Sequence, residues 1–150
     1  MYFWNIKALK SDLKKKKFSE TNAFAYALAG TILISLALVL SLIQIPNQYD
    51  IYDSINQAII AIIGLIYLFK CNGGAKGKNF LSNYISISWV CTIRFLVMIF
   101  IPAIIVFYSL STYFLGGSDE TTIDVVIFYA IMSILFYVYA GKHIKDVNKK

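Results

Sequence analysis

Charged residues are scarce in this 150-residue chain, and their scarcity narrows its class before any motif is considered. Asp, Glu, Lys and Arg make up 15% of the sequence, 59% is hydrophobic, and the mean hydropathy is +0.67. Soluble domains are about 25% charged and about 45–50% apolar. A water-exposed globule would lack polar surface at this composition, so the sequence predicts an integral membrane protein.

Residue types that commonly perform chemistry are also few. His143 is the only histidine, and the two cysteines, Cys71 and Cys91, form no CxxC pair. No set of His, Cys and carboxylate residues has metal-ligand spacing, and neither G-x-S-x-G nor H-E-x-x-H is present. We therefore predict a protein that is not an enzyme and that needs no metal or cofactor. Both cysteines are interpreted as small hydrophobic residues.

The stretch "CNGGAKGKNF" does not meet the requirements of a nucleotide-binding loop. A P-loop needs G-x-x-x-x-G-K-[ST] between a strand and a helix. Here Gly77-Lys78 is followed by Asn79, and a hydrophobic run takes the place of the strand. Because glycine tolerates positive φ, we expect Gly73 and Gly74 to cap the preceding helix and turn the chain.

Long hydrophobic runs, in contrast, are abundant. A helix needs about 20 residues, within a range of about 17–25, to cross the hydrocarbon core. Continuous runs also argue against the alternating pattern of a barrel. The first run exceeds the roughly 7–15 residues of a signal-peptide core, so we expect it to be retained. The sequence predicts one domain, residues 1–150, of four antiparallel transmembrane helices at about 23–45, 52–69, 84–107 and 123–140.

Two of the three connections between these helices contain no basic residue. The lysines lie in segment 1–22, in loop 70–83 and in the tail 141–150, whereas the other connections carry acidic residues that include Asp53, Asp119 and Glu120. Short basic segments stay on the cytoplasmic side. We therefore expect both termini in the cytoplasm, in a bacterial inner membrane. Because topology explains the lysines, no nucleic-acid partner is predicted.

The first 22 residues allow two interpretations. Tyr2, Ile6, Leu9 and Leu13 form one stripe at helical spacing, although Trp4 falls off it. The segment is either an amphipathic helix at the membrane interface or a solvated basic tail. Ser19 is a suitable N-cap for the first long helix. Candidate contacts to lipid headgroups or to an acidic partner are Lys14, Lys15, Lys16, Lys17, Lys76 and Lys78.

Small residues recur along the first predicted transmembrane helix. Ala23, Ala27, Thr31 and Ser35 stand at i, i+4 spacing, which lets a neighbouring backbone approach closely. The neighbour is either another helix of the same chain or a second copy of the protein.

Arg94 is the only basic residue outside the cytoplasmic segments. It lies near the middle of the predicted helix 84–107, where insertion of a charge costs about 2.5–3.5 kcal/mol. Pro102 is expected to free a backbone carbonyl and to kink the outer half. Three kinds of partner could bind the guanidinium group. It could form hydrogen bonds within the bundle to Asn56, Gln57 or a tyrosine. It could instead bind a carboxylate from a ligand, a lipid or another subunit, or extend toward lipid phosphates.

These observations favour a small non-enzymatic membrane protein. It would act as a binding, accessory or immunity-type subunit, recognising another membrane protein or itself through its helices in the lipid bilayer. The alternative is an oligomeric channel or transporter that passes an ion or small anion by Arg94.

Overall fold

A computed structural model describes residues 1–15, 17–41, 45–116 and 121–148, and every regular element in these ranges is helical. Lys16, Asp119 and Glu120, which entered the sequence predictions, lie outside them. The α-helices are α1 (Ile6–Lys14), α2 (Glu20–Ser41), α3 (Gln48–Cys71), α4 (Phe80–Phe95), α5 (Ile101–Leu115) and α6 (Ile123–Asn148). A 3₁₀ turn at Gly74–Lys76 precedes α4, and a π-helical turn at Leu96–Phe100 joins α4 to α5.

Four helices are long and apolar enough to cross a membrane, as the sequence predicts: Glu20–Val39, Gln48–Cys71, Phe80–Phe114 and Ile123–Asn148. The third is 35 residues long and extends beyond the predicted 84–107 at both ends. The fourth continues eight residues past 140. The three added segments, 80–83, 108–114 and 141–148, mix polar with apolar side chains, so they fall outside the continuous apolar runs although they remain helical.

Side-chain caps fix where the long helices begin. The Ser19 hydroxyl accepts a hydrogen bond from the Asn22 amide at 3.2 Å, which confirms it as the cap of α2. Asn47 and Asp50 form a reciprocal capping box at the start of α3. This cap explains why α3 begins at Gln48, four residues before the predicted position.

The turn after α3 is built around glycine and a buried asparagine. Gly73 and Gly74 have φ values of 96° and 57°, which confirms their predicted role. Asn72 is fully buried, and its Oδ1 accepts hydrogen bonds from Asn83 at 3.0 Å and from Asn148 at 2.8 Å. These bonds tie the turn to the start of α4 and to the end of α6. This end of the bundle is called the α1 end below, and the opposite end is called the far end.

The π-helical turn lies between Arg94 and Pro102. The Ile101 amide donates to the Leu96 carbonyl, five residues back, and Pro102 has no amide to donate. One extra residue in a turn rotates the following side chains by about 100° relative to an ideal helix. In α5, the residues that an ideal helix would align with Arg94 therefore lie on a different face.

Helix α6 is the centre of the packing, and its closest neighbour is α3. The two helices run in the same direction, because the residue numbers of contacting pairs increase on both helices. The pairs are Asn47–Thr121, Gln57–Ser133 and Asn72–Asn148. Each helix places a glycine against a tyrosine of the other. A Cβ on Gly64 would overlap the Tyr137 ring, and one on Gly141 would overlap the Tyr67 ring.

Helix α4 packs on another side of α6, where Phe95 contacts Phe136 and Tyr139. Toward the far end, α5 contacts α6 through aromatic side chains. The rings of Phe107 on α5 and Phe128 on α6 stack with their centroids 4.4 Å apart. Within the described ranges α3 and α4 meet near the α1 end, where the Phe69 and Phe80 rings contact edge-on at 5.3 Å, but they pack far less closely on each other than on α6.

The hydrophobic core is concentrated at the α1 end. Helix α1 packs against both α4 and α6, and α2 packs against α4. The buried cluster consists of Ile6, Leu9, Tyr26, Leu68, Ile87, Val90, Cys91, Ala140 and Ile144. Toward the far end, every residue of α2 from 31 to 39 is exposed. The chain therefore has a tightly packed α1 end and an open far half.

Replacement of Gly64 by Leu tests the close approach of α3 and α6. The added side chain has no room beside Tyr137, so we expect the protein to lose about 1–3 kcal/mol of stability through overpacking. Thermal unfolding in detergent measures the loss. Gly30→Leu is the matched control, because nothing lies within 4 Å of its added Cβ. Equal unfolding temperatures for the two variants would contradict the packing described here.

Candidate functional site: a polar groove and the surroundings of Arg94

An open groove runs between α3 and α4, with α6 as its floor. It exists because α3 and α4 both pack closely on α6 but not on each other. Its volume is about 580 Å³. Most of its walls are aromatic or aliphatic, and its polar lining residues are Asp53, Gln57, Thr92, Tyr129 and Ser133. We call this feature the central groove.

A chain of hydrogen bonds crosses the floor of the central groove. Ser133 Oγ donates to Gln57 Oε1 at 2.6 Å, and Gln57 Nε2 donates to Asp53 Oδ1 at 3.1 Å. The Asp53 carboxylate is thus the terminal acceptor. Side chains that are ordered in this way offer hydrogen-bonding groups to anything that fills the groove.

The sequence did not single out Asp53 or Ser133 as parts of a site. Asp53 was assigned to the connection before the second helix, but the capping box at Asn47 places it inside α3. Its i, i+4 spacing to Gln57 was the available signal. A serine in a long apolar helix most simply bonds to its own backbone. Ser133 bonds instead to a residue 76 positions away, and no local pattern reveals such a contact.

Other predicted residues have different surroundings. Gln57 lies in the central groove, whereas its neighbour Asn56 is half-buried and is not among the residues that line it. Pro102 is exposed and lies two residues beyond Phe100, which lines the groove. The structure therefore brings only Gln57, of the predicted polar residues, into the groove.

The row of small residues on α2 is largely uncovered. Ala23 and Ala27 are half-buried near the α1 end, whereas Thr31 and Ser35 are exposed. Thr31 Oγ1 donates to the Ala27 carbonyl at 3.0 Å. No helix of the chain covers the far half of this row in the described ranges, so packing within the chain does not account for it.

Arg94 contacts the N-terminal segment and not the residues expected to bond to it. Its guanidinium carbon lies 5.5 Å from the centre of the Trp4 ring, a cation–π distance. Asn56 and Gln57 do not bond to it, and its Nε is buried without a hydrogen-bond partner among the described residues. Arg94 is also not one of the residues that line the central groove.

Helix α1 holds Trp4 in place. Leu9 is fully buried and Ile6 is 3% exposed, so residues 6–14 form a docked helix and not a solvated tail. Lys10 Nζ lies 3.1 Å from Asp146 Oδ2 on α6, and the Phe3 ring meets Trp89 edge-on.

The Tyr2 hydroxyl anchors the start of the segment. It donates to Asp12 at 2.5 Å, and this bond raises the pKa of Tyr2 above its usual value of 10.0. The tyrosine therefore remains a donor at neutral pH.

The predicted headgroup lysines form no pocket. Lys14, Lys15, Lys17, Lys76 and Lys78 are all exposed, and Lys16 is not described. Among the described residues, no three His, Cys, Asp or Glu side chains come close enough to hold a metal ion.

Replacement of Leu9 by Ala tests whether α1 positions Trp4 over Arg94. Truncation of a fully buried Leu costs about 2–5 kcal/mol, which is large for the docking of a nine-residue helix. We expect α1 to detach, with faster hydrogen exchange of the Ile6–Lys14 amides. Lys7→Ala, at an exposed position of the same helix, should leave the exchange unchanged. If Leu9→Ala retains the protection seen in the wild type, α1 does not dock as described.

Comparisons of the chain with protein-family models, with curated proteins and with solved structures find no match. The central groove and the surroundings of Arg94 are therefore the observations from which a function can be argued.

Proposed function

We propose that the protein spans the cytoplasmic membrane of a bacterium with both termini in the cytoplasm. The distribution of lysines supports this orientation, since the α1 end carries the basic segments. The contacts support alternating helix directions. In contacts between α3 and α6 the residue numbers increase on both helices, as expected for parallel helices. In the pairs Phe95–Phe136 and Phe107–Phe128 the number increases on one helix and decreases on the other, as expected for antiparallel helices.

In this orientation Arg94 lies at the inner edge of the hydrocarbon and not at its middle. The 35-residue helix Phe80–Phe114 is about 52 Å long, whereas the hydrocarbon core is about 30 Å thick. If Tyr113 marks the outer interface, as interfacial tyrosines commonly do, about 20 residues inward reach Arg94. About 20 residues counted inward from Ile123 on α6 end at Lys142. By both counts, the start of α4 would lie on the cytoplasmic side of the hydrocarbon core.

Labelling with a membrane-impermeant maleimide tests this placement. In a background with Cys71 and Cys91 replaced by Ala, we expect Lys76→Cys to react only after the cells are opened. Ile45→Cys, which is 97% exposed at the far end, should react in intact cells. Reaction of the cysteine at position 76 from outside would overturn the orientation.

For the function itself, we propose a non-enzymatic subunit that works by binding a transmembrane helix in the central groove. The occupant that the observations favour is α2 of a second copy. The main observation is that the chain has both halves of such a contact, an open groove with polar groups and a helix with an uncovered row of small residues. Accessory or immunity-type roles are compatible with a protein that acts by binding in this way.

The depths of the two surfaces agree. Tyr26 of α2 and Ala140 of α6 belong to the same buried cluster. Ser35 is nine residues beyond Tyr26, about 13 Å farther from the α1 end, and Ser133 is seven residues before Ala140, about 10 Å in the same direction. Copies related by an axis along the membrane normal share depth, so Ser35 of one copy would meet Gln57 and Ser133 of the next.

The chemistry of the two surfaces is also complementary. Small residues let the backbone of a helix approach closely, and packing is the main attraction between helices in lipid. Hydrogen bonds across such contacts contribute about 0.6 kcal/mol each on average, enough to favour one register without forcing assembly. Ser35 would supply a donor, and Asp53 with Gln57 the acceptors, whereas the Thr31 hydroxyl already donates to the Ala27 carbonyl.

The alternative of a channel or transporter has less support. It would need a path for an ion or small anion past Arg94, but Arg94 does not line the central groove. The polar residues of the groove also occupy only part of its length, and its walls are mainly aromatic and aliphatic.

Disulfide trapping between two tagged copies tests the proposal. One copy carries Ser35→Cys and the other Ser133→Cys, both in the cysteine-free background. We expect an oxidised product with both tags and twice the mass of one chain. Leu33→Cys replaces Ser35→Cys in the control, because it lies on another face of α2 at 54% exposure and should give little product.

Two results would contradict the second-copy occupant. A disulfide formed only within one chain that carries both cysteines would show that α2 closes over its own groove. Equal trapping of the cysteines at 33 and 35 would show random collision and not a defined interface.

A further inference from the structure

We propose that Arg94 binds the phosphate group of an anionic lipid in the inner leaflet. This inference rests on the membrane placement proposed above, which brings the guanidinium group to the depth of the headgroups. It does not rest on the central groove or on its occupant.

The described part of the chain offers Arg94 no acceptor. Among residues 1–15, 17–41, 45–116 and 121–148, no hydrogen bond or ion pair to Arg94 is found, and its Nε is buried without a partner. Buried charged groups in proteins are paired or hydrogen-bonded, because removing them from water without a partner is costly. Two further buried donors without partners, Ser88 Oγ and Trp89 Nε1, lie just before it on α4.

Trp4 gives Arg94 a contact but no hydrogen-bond acceptor. The guanidinium carbon lies over the indole ring, 5.5 Å from its centre, and the ring face attracts the positive charge without offering an oxygen atom. The N–H donors of arginine point outward in its plane, in a fork that matches two oxygens of a phosphate. The contact with Trp4 therefore leaves the N–H donors of Arg94 without an oxygen acceptor. The 47% exposure of Trp4 agrees with a position at the membrane interface, where tryptophan is enriched.

The charge around Arg94 is mainly positive. Lys10, Arg94 and Lys142 all act electrostatically on the His143 ring, and among the described residues Asp146 is the carboxylate that opposes them. Asp146 already forms an ion pair with Lys10. The surplus is positive, so an anionic lipid is favoured over a zwitterionic one. Basic pockets between transmembrane helices on the cytoplasmic side commonly bind such headgroups.

Native mass spectrometry of the detergent-purified protein tests the site with phosphatidylglycerol as the probe. We expect the wild type to retain one lipid. Arg94→Gln should reduce the affinity for the lipid by about tenfold or more, which is the loss expected for a charge-assisted hydrogen bond. Arg94→Lys should be intermediate, because a lysine binds phosphate as a point charge without the fork. Lys7→Gln removes an equal charge from an exposed position of α1 and should retain the lipid.

Competition distinguishes the sources of the phosphate. Phosphatidylcholine should be retained less than phosphatidylglycerol, and millimolar inorganic phosphate should not displace the lipid. Displacement by inorganic phosphate would overturn the lipid as the ligand and indicate a site for a free anion. Equal lipid retention by Arg94→Gln and the wild type, with both variants of Arg94 helical and monodisperse, would overturn the site itself.

The two proposals can fail separately. If the cysteine at position 76 is labelled only from the cytoplasmic side but Arg94→Gln retains the lipid, the membrane placement stands and this inference is wrong. If that cysteine is labelled from outside, the placement on which the inference depends is wrong.

Discussion

The close approach of α3 and α6 is the constraint on which the rest of the structure depends. Gly64 and Gly141 each receive a tyrosine ring from the other helix, so the two backbones are drawn together over their full length. With α3 fixed on one side of α6, α4 packs on another side and the space between them stays open. The central groove is therefore a consequence of the glycine–tyrosine contacts that hold α3 against α6, and its polar floor follows from Ser133 and Gln57 facing each other across the same contact.

The length of α6 explains the division of the bundle into two parts. Its last turns extend beyond the apolar stretch, and there α1, α4 and the Asn72 turn surround it with buried side chains. Toward the far end, in contrast, α5 reaches α6 through aromatic rings such as Phe107 and Phe128, and residues 31–39 of α2 are exposed. A rigid, asparagine-tied end and an open half are what a protein needs if it holds its own shape while it accepts a partner helix.

Composition and hydropathy were sufficient to predict four long apolar helices, because that signal is additive along the chain. Helix ends were less predictable, since residues 80–83 and 141–148 mix polar with apolar side chains and yet stay helical through contacts such as Asn83–Asn72. The site was less predictable again. Arg94 and Gln57 could be identified as polar groups in apolar runs, but their partners, Trp4 and Ser133, are 90 and 76 positions away in sequence. The π-helical turn also breaks the regular spacing from which a helix face is inferred.

The two proposals have a physical connection, because binding between helices in a bilayer depends on their relative depth. A lipid phosphate held by Arg94 would fix the height of α4, and the packing of α4 on α6 would pass that height to Ser133 and Gln57. The row on α2 would be fixed to the same level, since Tyr26 bonds to the backbone of Tyr2 in the segment that carries Trp4. Arg94 would then contribute to assembly without touching the partner, by keeping groove and helix at matching depths in every copy.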